Sequence, residues 1–349
     1  MCKLNIDLCL LLSLFMGSIF LSLFLNKLLI RVAYQYNCFL DKPNIRSSHA
    51  KIIPRCGGLP IFFILLVGYW CFFRSTDFKV IGYLWGAILI FIVGVIDDLV
   101  SMSGKPKIAG MVLCSLIPLL FCLKLDYLGI IGNNQSILYV LSFIWIYGFI
   151  NAFNFMDGID GLIGGTSIIG AFFIMVVAFM IGDVLVAGIA SLLLSACIGF
   201  MVFNYPPAKI FLGDAGSMFL GYNFAVLGIM LTNNSVNAIP IYVVIFIFAP
   251  IIYDSMVTFI RRGLQGKNVI EAHREHLYQR LIILGMSHRD VSLIYYVLAL
   301  LFGLFALIFS FSNIVGRLGI IIIALAILVG FSLAVKQLEL SFSKRKTSE

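Results

Sequence analysis

The sequence predicts an all-α, polytopic membrane protein of about eleven transmembrane helices, and three observations support this fold class. Hydrophobic residues make up 62% of the 349 residues and charged residues only 11%, with a mean hydropathy of +1.09. Soluble domains average roughly 25% charged residues. Several windows stay apolar over the roughly 20 residues that a helix needs to cross a bilayer. Lys and Arg are concentrated in alternate loops, as in multispanning membrane proteins.

The predicted spans are joined by short loops, and no polar stretch is long enough to bury a core of its own. Residues 1–349 are therefore predicted to form a single integral membrane domain. The first span is longer than the roughly 7–15 apolar residues of a signal peptide, so we interpret it as a retained helix. The eleven spans cover residues 6–30, 58–74, 79–97, 108–124, 137–155, 165–182, 184–203, 216–232, 238–260, 291–311 and 314–335.

The distribution of Lys and Arg predicts the orientation. Eighteen of the 24 lie in one set of loops, five in the other set and one, Lys27, inside the first span. The positive-inside rule assigns the basic set to the cytoplasm, which places the N-terminus outside and the tail, residues 336–349, inside. Since topology explains the net charge of +8, nucleic-acid binding is not expected. The eight scattered cysteines show no disulfide or zinc pattern.

The acidic residues lie on the same side as the basic ones. Nine of the 16 fall in or beside the predicted cytoplasmic loops, and Glu339 and Glu349 lie in the predicted cytoplasmic tail. Carboxylates at span ends are unfavourable unless they are paired, hydrated or bound to metal, so a divalent cation is the simplest explanation. Asp97 and Asp98 follow an apolar run. The pair indicates either a metal- or phosphate-activating site or a helix end that faces water.

Residues 151–161 carry the strongest metal signal. Asn151, Asn154 and Asp157 are spaced three apart and Asp160 follows, so on a helix they drift slowly around one face. All four side chains offer the hard oxygen ligands that Mg²⁺ or Mn²⁺ prefers. Helix capping is the weaker interpretation, because four such residues fall within ten positions.

Two further motifs are weak when taken alone. A Gly-rich turn containing Asp214 opens the span at 216–232. Free N–H groups and the positive end of the helix dipole there favour phosphate, although the same residues also serve as plain N-caps. Residues 41–58, which include Arg46 and Arg55, form a polar segment before the second span. By itself that segment is typical of a connecting loop.

The longest cytoplasmic loop, residues 261–290, is predicted to recognise the substrate. His273, Arg274 and His276 supply the imidazole and guanidinium donors that a nucleotide diphosphate requires. Two histidines without a third ligand make a weak zinc site. A basic loop that lies on anionic lipid is the alternative interpretation.

These five motifs in this order resemble the polyprenyl-phosphate N-acetylhexosamine-1-phosphate transferase family. The resemblance implies Mg²⁺-dependent (or Mn²⁺-dependent) transfer of a sugar 1-phosphate from a UDP-N-acetylhexosamine to undecaprenyl phosphate, with release of UMP. It implies a bacterial inner-membrane enzyme with a periplasmic N-terminus, an active site at the cytoplasmic face and a homodimer as one arrangement. The loop reads His-Arg-Glu-His and lacks the triple histidine of the peptidoglycan enzymes. It looks more like the branch that initiates O-antigen of lipopolysaccharide, whose donors include GlcNAc and 6-deoxy sugars such as FucNAc or QuiNAc.

The resemblance also implies roles for individual residues. It implies that metal is bound by Asn154 and Asp214, and that catalytic roles fall to Asp97, Asp98 and Asp157. It implies that Lys107 contacts the lipid phosphate, and that the other substrate-binding residues are Arg46, Arg55, Asn151, Asp160, His273, Arg274 and His276. The hypothesis requires Asp98, Asn154 and Asp214 to lie close together at one edge of the bilayer.

The mechanism predicted by this hypothesis is direct attack by the lipid phosphate, with Asp97 as a candidate general base. A two-step route through an aspartyl-phosphate is the rival. A secondary transporter with an intramembrane acidic relay is the alternative from another class, and it predicts acidic residues in mid-span. A CDP-alcohol phosphotransferase is disfavoured, because Leu162-Ile163 stand where an Ala-Arg is expected after Asp157-Gly158.

Overall fold

The computed structural model describes residues 8–41, 43, 51–126, 134–234, 238–268 and 273–348. The chain is 79% helical, which confirms the all-α fold class. The described helices are α1 (Leu8–Tyr36), α2 (Gly58–Phe72), α3 (Phe78–Val100), α4 (Gly104–Leu120), α5 (Gln135–Met156), α6 (Leu162–Met180), α7 (Val184–Asn204), α8 (Gly213–Thr232), α9 (Ile241–Ile247), α10 (Ala249–Leu264), α11 (Leu277–Ile283), α12 (His288–Phe311) and α13 (Ile314–Ser348). Strands β1 (Leu40–Asp41) and β2 (Ile53–Pro54) pair antiparallel between α1 and α2.

Within the described residues, eight helices are long and apolar enough to cross a membrane, and α9 with α10 makes a ninth if the bent pair counts as one span. Every predicted span coincides with a helix or, for residues 238–260, with that pair. The helices α2 and α4 fall outside the eight. The count of eleven therefore stays a prediction, whereas the multispanning architecture is confirmed.

Several helices extend beyond the predicted spans, because they continue past the apolar runs. Helix α3 extends to Val100, so Asp97 and Asp98 lie in its last turn. Helix α4 begins at Gly104, which places Lys107 on a helix rather than in a loop. The predicted loop 261–290 contains the end of α10, all of α11 and the start of α12. The predicted tail 336–349 continues α13 to Ser348, since no Gly or Pro interrupts it after Gly330.

Helix α8 lies at the centre of the molecule. Its most apolar window is 100% buried by other parts of the protein, and α2, α3, α5 and α7 pack around it. The first turn of α8 contains Gly213, Ala215 and Gly216, whose small size allows neighbouring backbones to approach closely. A Cβ atom at Gly58 of α2 would lie 2.3 Å from the backbone N of Gly216, so only glycine fits there.

Backbone hydrogen bonds tie the segment before α2 to the segment before α8. The N–H of Phe211 donates to the carbonyl of Pro54 at 2.7 Å, and the N–H of Gly57 donates back to the carbonyl of Phe211 at 2.9 Å. The N–H of Gly58 donates to the carbonyl of Leu212 at 2.9 Å. This short parallel pairing places Arg55 beside the N-terminus of α8.

The chain bends by 85° between α9 and α10. Pro250 lies in the first turn of α10 and has no N–H with which to continue the hydrogen bonding of α9. The ring of Phe248 at the bend packs against Phe149 and Phe153 of α5 and Phe224 of α8, with centroid distances of 5.5, 5.6 and 4.7 Å. The bend is therefore fixed against the two helices at the centre of the fold.

Candidate active site

The carboxylate of Asp98 caps the N-terminus of α8. Its two oxygens accept hydrogen bonds from the N–H groups of Asp214 and Ala215, both at 2.9 Å. Leu212 occupies the N-cap position of α8 and offers no side-chain acceptor, so Asp98 supplies the cap from α3. A Cβ atom at Gly213, where φ is +76°, would lie 2.6 Å from Asp98 Oδ2. Of the two interpretations of this turn, capping therefore describes the N–H groups of Asp214 and Ala215, which a protein carboxylate already binds.

Helices α3, α4, α5 and α8 bring their polar side chains together at Asp214. Its Oδ1 accepts from Asn154 Nδ2 at 2.7 Å, and its Oδ2 accepts from Lys107 Nζ at 2.5 Å. The same ammonium lies 2.9 Å from Asp97 Oδ2. The predicted convergence of Asp98, Asn154 and Asp214 is thus present in the structure, and Asp97 and Lys107 join it. We call these five residues, together with Asp157, the acidic cluster.

Asp157 follows the last residue of α5 and is partly buried at the edge of the cluster. Within the described residues its carboxylate has no hydrogen-bond donor or ion-pair partner. Burial, and then the negative charges of Asp214, Asp98 and Asp160, raise the pKa of Asp157 well above its ordinary value of 3.8. An additional cation at this place would remove the repulsion.

Asp160 and Asn151 already have protein partners. Asp160 Oδ2 accepts from the N–H of Ala208 at 3.0 Å, and Oδ1 lies 3.4 Å from His288 Nδ1. Its carbonyl accepts from the Ser292 hydroxyl at 2.9 Å. Asn151 Nδ2 donates to the carbonyl of Tyr147 in its own helix at 2.8 Å. In this structure, Asp160 fixes the turn between α5 and α6, and a substrate role for either residue stays a prediction.

Of the two arginines predicted before α2, the structure describes Arg55. Its Nη2 donates to the carbonyl of Asp98 at 2.8 Å and to Ser101 Oγ at 3.2 Å, which fixes the C-terminal end of α3. Its Nε lies 3.9 Å from Asp98 Oδ1. Arg55 thus supports the aspartate that caps α8. Arg46 lies outside the described residues.

The segment that precedes and opens α11 lies against the end of α5. The ring of His276, which is 3% exposed, has its centroid 5.9 Å from that of Phe155. The Tyr278 hydroxyl donates to the carbonyl of Phe155 at 2.9 Å. Since Phe155 precedes Asp157 by two residues, this segment adjoins the acidic cluster, as a substrate-recognition loop would.

The other two predicted donors of this segment differ in charge. Burial, with the neighbouring positive charges of His276 and Arg262, lowers the pKa of His273 to about 4, so its imidazole is neutral near pH 7. Arg274 is exposed, and its guanidinium makes no hydrogen bond or ion pair with the described residues. Arg274 is therefore the permanent positive charge that this segment offers to an anionic substrate.

Sequence reasoning missed several buried polar groups around the site. Asn204 accepts from the N–H of Gly161 at 3.0 Å and donates to the carbonyl of Ile210 at 2.8 Å, which joins the turn after α5 to the end of α7. Ser217 accepts from Asn154 Nδ2 at 3.1 Å. Asp254 of α10 is fully buried. A lone carboxylate within an apolar helix was the available signal for Asp254, whereas Asn204 and Ser217 follow no local pattern.

The donor set of the cluster fits a divalent cation. Asp97 and Asp214 share the ammonium of Lys107 and Asp157 adds a further carboxylate, so negative charge is in excess. Carboxylate oxygens and an Asn amide oxygen are the ligands that Mg²⁺ or Mn²⁺ prefers. Over the described ranges, no group of three or more His, Cys, Asp or Glu is already arranged around a common metal position. Both Asp214 oxygens are engaged by Lys107 and Asn154.

The raised pKa of Asp157 predicts a pH-dependent gain in stability for Asp157→Asn. An acid whose pKa is higher in the folded than in the unfolded state stabilises the fold at low pH and loses that contribution as the pH rises. The melting temperature of the variant, measured with EDTA, should therefore exceed that of the wild type by more at about pH 8 than at about pH 5. A difference that does not change with pH would contradict the assignment.

Comparison with known proteins places these observations among sugar-phosphate transferases. The model of the family described as glycosyl transferase family 4 matches residues 80–232, which include Asp97, Asp98, Asn154, Asp157 and Asp214. A Bacillus subtilis protein named as a probable undecaprenyl-phosphate N-acetylglucosaminyl 1-phosphate transferase is 31% identical over 305 residues, covering 86% of this chain and 85% of that protein.

Two further relatives have related names. The undecaprenyl-phosphate alpha-N-acetylglucosaminyl 1-phosphate transferase of Thermotoga maritima is 30% identical over 249 residues, covering 70% of this chain and 74% of that protein. The decaprenyl-phosphate N-acetylglucosaminephosphotransferase of Mycobacterium tuberculosis is 28% identical over 294 residues, covering 73% and 72%. Each similarity spans most of both chains.

Proposed function

The chain belongs to glycosyl transferase family 4, the polyprenyl-phosphate N-acetylhexosamine-1-phosphate transferases, and from this premise we propose that it transfers N-acetylglucosamine 1-phosphate from UDP-GlcNAc to undecaprenyl phosphate. The products are UMP and undecaprenyl-diphospho-GlcNAc. The observation that supports this proposal most directly is the acidic cluster, in which Lys107 pairs with both Asp97 and Asp214 while Asp157 has no ion-pair partner among the residues that the structure describes.

The position of the cluster suits a lipid acceptor and a soluble donor. Asp97, Asp98 and Asp157 lie at or just beyond the ends of α3 and α5, and Asp214 lies in the first turn of α8. A polyprenyl phosphate keeps its chain in the bilayer and its phosphate at the surface, where a nucleotide sugar can reach it. In the proposal this surface is the cytoplasmic face of a bacterial inner membrane, and the N-terminus is periplasmic.

The proposed reaction is a direct phosphoryl transfer. An oxygen of the lipid phosphate attacks the sugar-linked phosphorus, a new P–O bond forms, and the bond to the UMP oxygen breaks. The second pKa of a phosphate monoester is about 6, so the attacking group is largely deprotonated near neutral pH. General-base catalysis by Asp97 would therefore contribute little to the rate. A trapped aspartyl-phosphate or ping-pong kinetics would overturn this route in favour of the two-step rival.

The residues of the cluster divide the work of positioning. Lys107 is proposed to hold the lipid phosphate, and Asp97 and Asp98 hold Lys107 and the end of α8 in place. Arg274, with His273 and His276, is proposed to contact the donor diphosphate and sugar. Asp214, Asn154 and Asp157 would hold Mg²⁺, which supplies neutralisation of the charge that develops on the UMP phosphate.

The sugar of the donor is proposed from the relatives and from the segment that carries His273 and His276. The relatives' names specify N-acetylglucosamine, so UDP-GlcNAc is the first candidate. The His-Arg-Glu-His segment keeps 6-deoxy donors such as UDP-FucNAc and UDP-QuiNAc as rivals. In either case the product would be the first lipid-linked intermediate of O-antigen or of another surface glycan.

The test is a UMP-release assay on purified protein in detergent with undecaprenyl phosphate and a panel of UDP-sugars. We expect release with UDP-GlcNAc or a 6-deoxy analogue, dependence on both substrates, and loss of release when EDTA removes Mg²⁺. UDP-glucose, which lacks the acetamido group, serves as the matched donor control. UMP formation without the lipid, or no release from any donor, would contradict the proposal.

A further inference from the structure

A buried carboxylate outside the acidic cluster contacts the segment that carries His276. Asp254 on α10 is 0% exposed. Its Oδ1 accepts from the N–H of Leu277 at 2.8 Å and lies 3.2 Å from His276 Nδ1. Its Oδ2 accepts from the N–H of Tyr278 at 3.2 Å and from the Tyr295 hydroxyl. Four donors on two other segments of the chain thus converge on one side chain.

Helix α11 depends on such contacts for its position. It has only seven residues, and helices this short are not stable on their own. Asp254 accepts hydrogen bonds from the N–H groups of the first two residues of α11, which have no partner within the helix. At its other end Arg280 pairs with Glu339 of α13. The helix is therefore held at both ends by side chains that are distant in sequence.

The opening of α11 touches the residues that lead into the acidic cluster. The Tyr278 hydroxyl bonds to the carbonyl of Phe155, and a Cβ atom at Gly158 would lie 2.1 Å from the same hydroxyl. The ring of His276 packs near that of Phe155. Because these contacts flank Asp157, a shift of residues 276–278 would displace the groups proposed to bind the donor relative to the cluster.

We propose that Asp254 is a positioning residue of the transfer reaction, which acts by fixing His276 and the start of α11 over the end of α5. Nδ1 of His276 faces the Asp254 carboxylate at 3.2 Å, which leaves Nε2 as the ring nitrogen available to substrate. This inference rests on the proposed function, because it assigns Asp254 a part in donor binding.

The test is a double-mutant cycle of Asp254→Asn and His276→Gln, read by UMP release. Asp254→Asn keeps the size of the side chain and removes its charge and one acceptor. We expect kcat/KM for the UDP-sugar to fall by about 10²-fold, since misplacement of a binding group by about 1 Å has an effect of this size. If Asp254 acts through His276, the same substitution should have much less effect when Gln already occupies position 276.

A second measurement does not depend on turnover. Hydrogen exchange of a peptide covering residues 273–286 should be faster in Asp254→Asn, because Leu277 and Tyr278 donate to the two different oxygens of Asp254 and Asn keeps one of them, so one amide loses its acceptor. Ser142→Ala is the matched control. Ser142 is also fully buried and accepts from a backbone N–H, that of Leu125 at 2.8 Å, but it lies about 18 Å along α5 from Asn154. It should leave both exchange in 273–286 and turnover unchanged.

Tyr295→Phe keeps the inference testable if Asp254→Asn does not fold. It removes one donor to the carboxylate and leaves the His276 contact in place, so about a tenfold loss at most is expected, again coupled to His276→Gln. Additive effects in either cycle, or wild-type turnover in folded Asp254→Asn, would overturn the inference. If the wild type releases no UMP from any donor, the proposed function fails, and the exchange measurement alone then decides whether Asp254 holds the segment.

Discussion

Replacing Asp214 with alanine is expected to lower kcat by about 10²- to 10³-fold, the usual effect of losing one charged group that stabilises a transition state. Asp214 is the residue on which Lys107 and Asn154 both converge, so its replacement removes the partner that the side chains from α4 and α5 share. The loss should be measured as UMP release at saturating concentrations of both substrates, with a Mg²⁺ titration to detect weaker metal binding.

Asp290→Ala is the matched control for this substitution. Asp290 lies in the first turn of α12, is exposed, and pairs with the hydroxyl of Ser287. It belongs to the same predicted face of the membrane but not to the acidic cluster, so the variant should retain turnover within about twofold. Full activity in Asp214→Ala would remove both the metal assignment and the proposed site.

Replacing Lys107 with methionine is expected to reduce kcat/KM for undecaprenyl phosphate by about 10²-fold. Methionine keeps the length and the apolar stem of the side chain but removes the ammonium that lies between Asp97 and Asp214. The two carboxylates would then face an incoming phosphate without a nearby positive charge, and repulsion would weaken its binding. The measurement is UMP release as a function of lipid phosphate concentration at a fixed donor concentration.

Lys105 provides a control two residues away on the same helix. It is exposed in the first turn of α4, so Lys105→Met removes the same charge from the same face of the membrane without changing the cluster. Its turnover should stay within about twofold of wild type. A loss in Lys107→Met that appears only in the KM for the UDP-sugar would show that Lys107 serves the donor rather than the lipid.

Sequence reasoning could predict the helices and the place where the cluster forms. Apolar runs of sufficient length indicate spans whatever their neighbours are, and polar residues at the same end of several spans must meet near one surface. Asp98, Asn154 and Asp214 come together for that reason, and Lys107 joins them because α4 begins just after α3 ends. The residue types indicated a metal site, because Asp and Asn side chains with hard oxygen donors are scarce in such an apolar chain and several of them occur together.

The hydrogen bonds inside the site could not be predicted from the sequence. The sequence around Gly213 is the same whether the N–H groups of Asp214 and Ala215 bind phosphate or the carboxylate of Asp98. Only the packing of α3 on α8 decides between the two. Asp254 lies within an apolar span, apart from the acidic residues at the span ends, and it was therefore not included in the predicted site. An acid at such a position is what the transporter alternative expects. The structure instead satisfies that acid with donors from residues 276–278 and 295, and no local spacing relates those positions.

The enclosure of α8 changes how substitutions along it should be judged. Residues 215–232 of this helix are buried by other parts of the protein, so their surroundings resemble the interior of a water-soluble protein. Side-chain volume, and not hydrophobicity, decides which substitutions this helix accepts. Leucine at position 216 would raise the hydropathy of the segment, yet it would collide with Gly58 and displace Asp214. In the most buried helix, substitution by a larger apolar residue is thus expected to destabilise the fold the most.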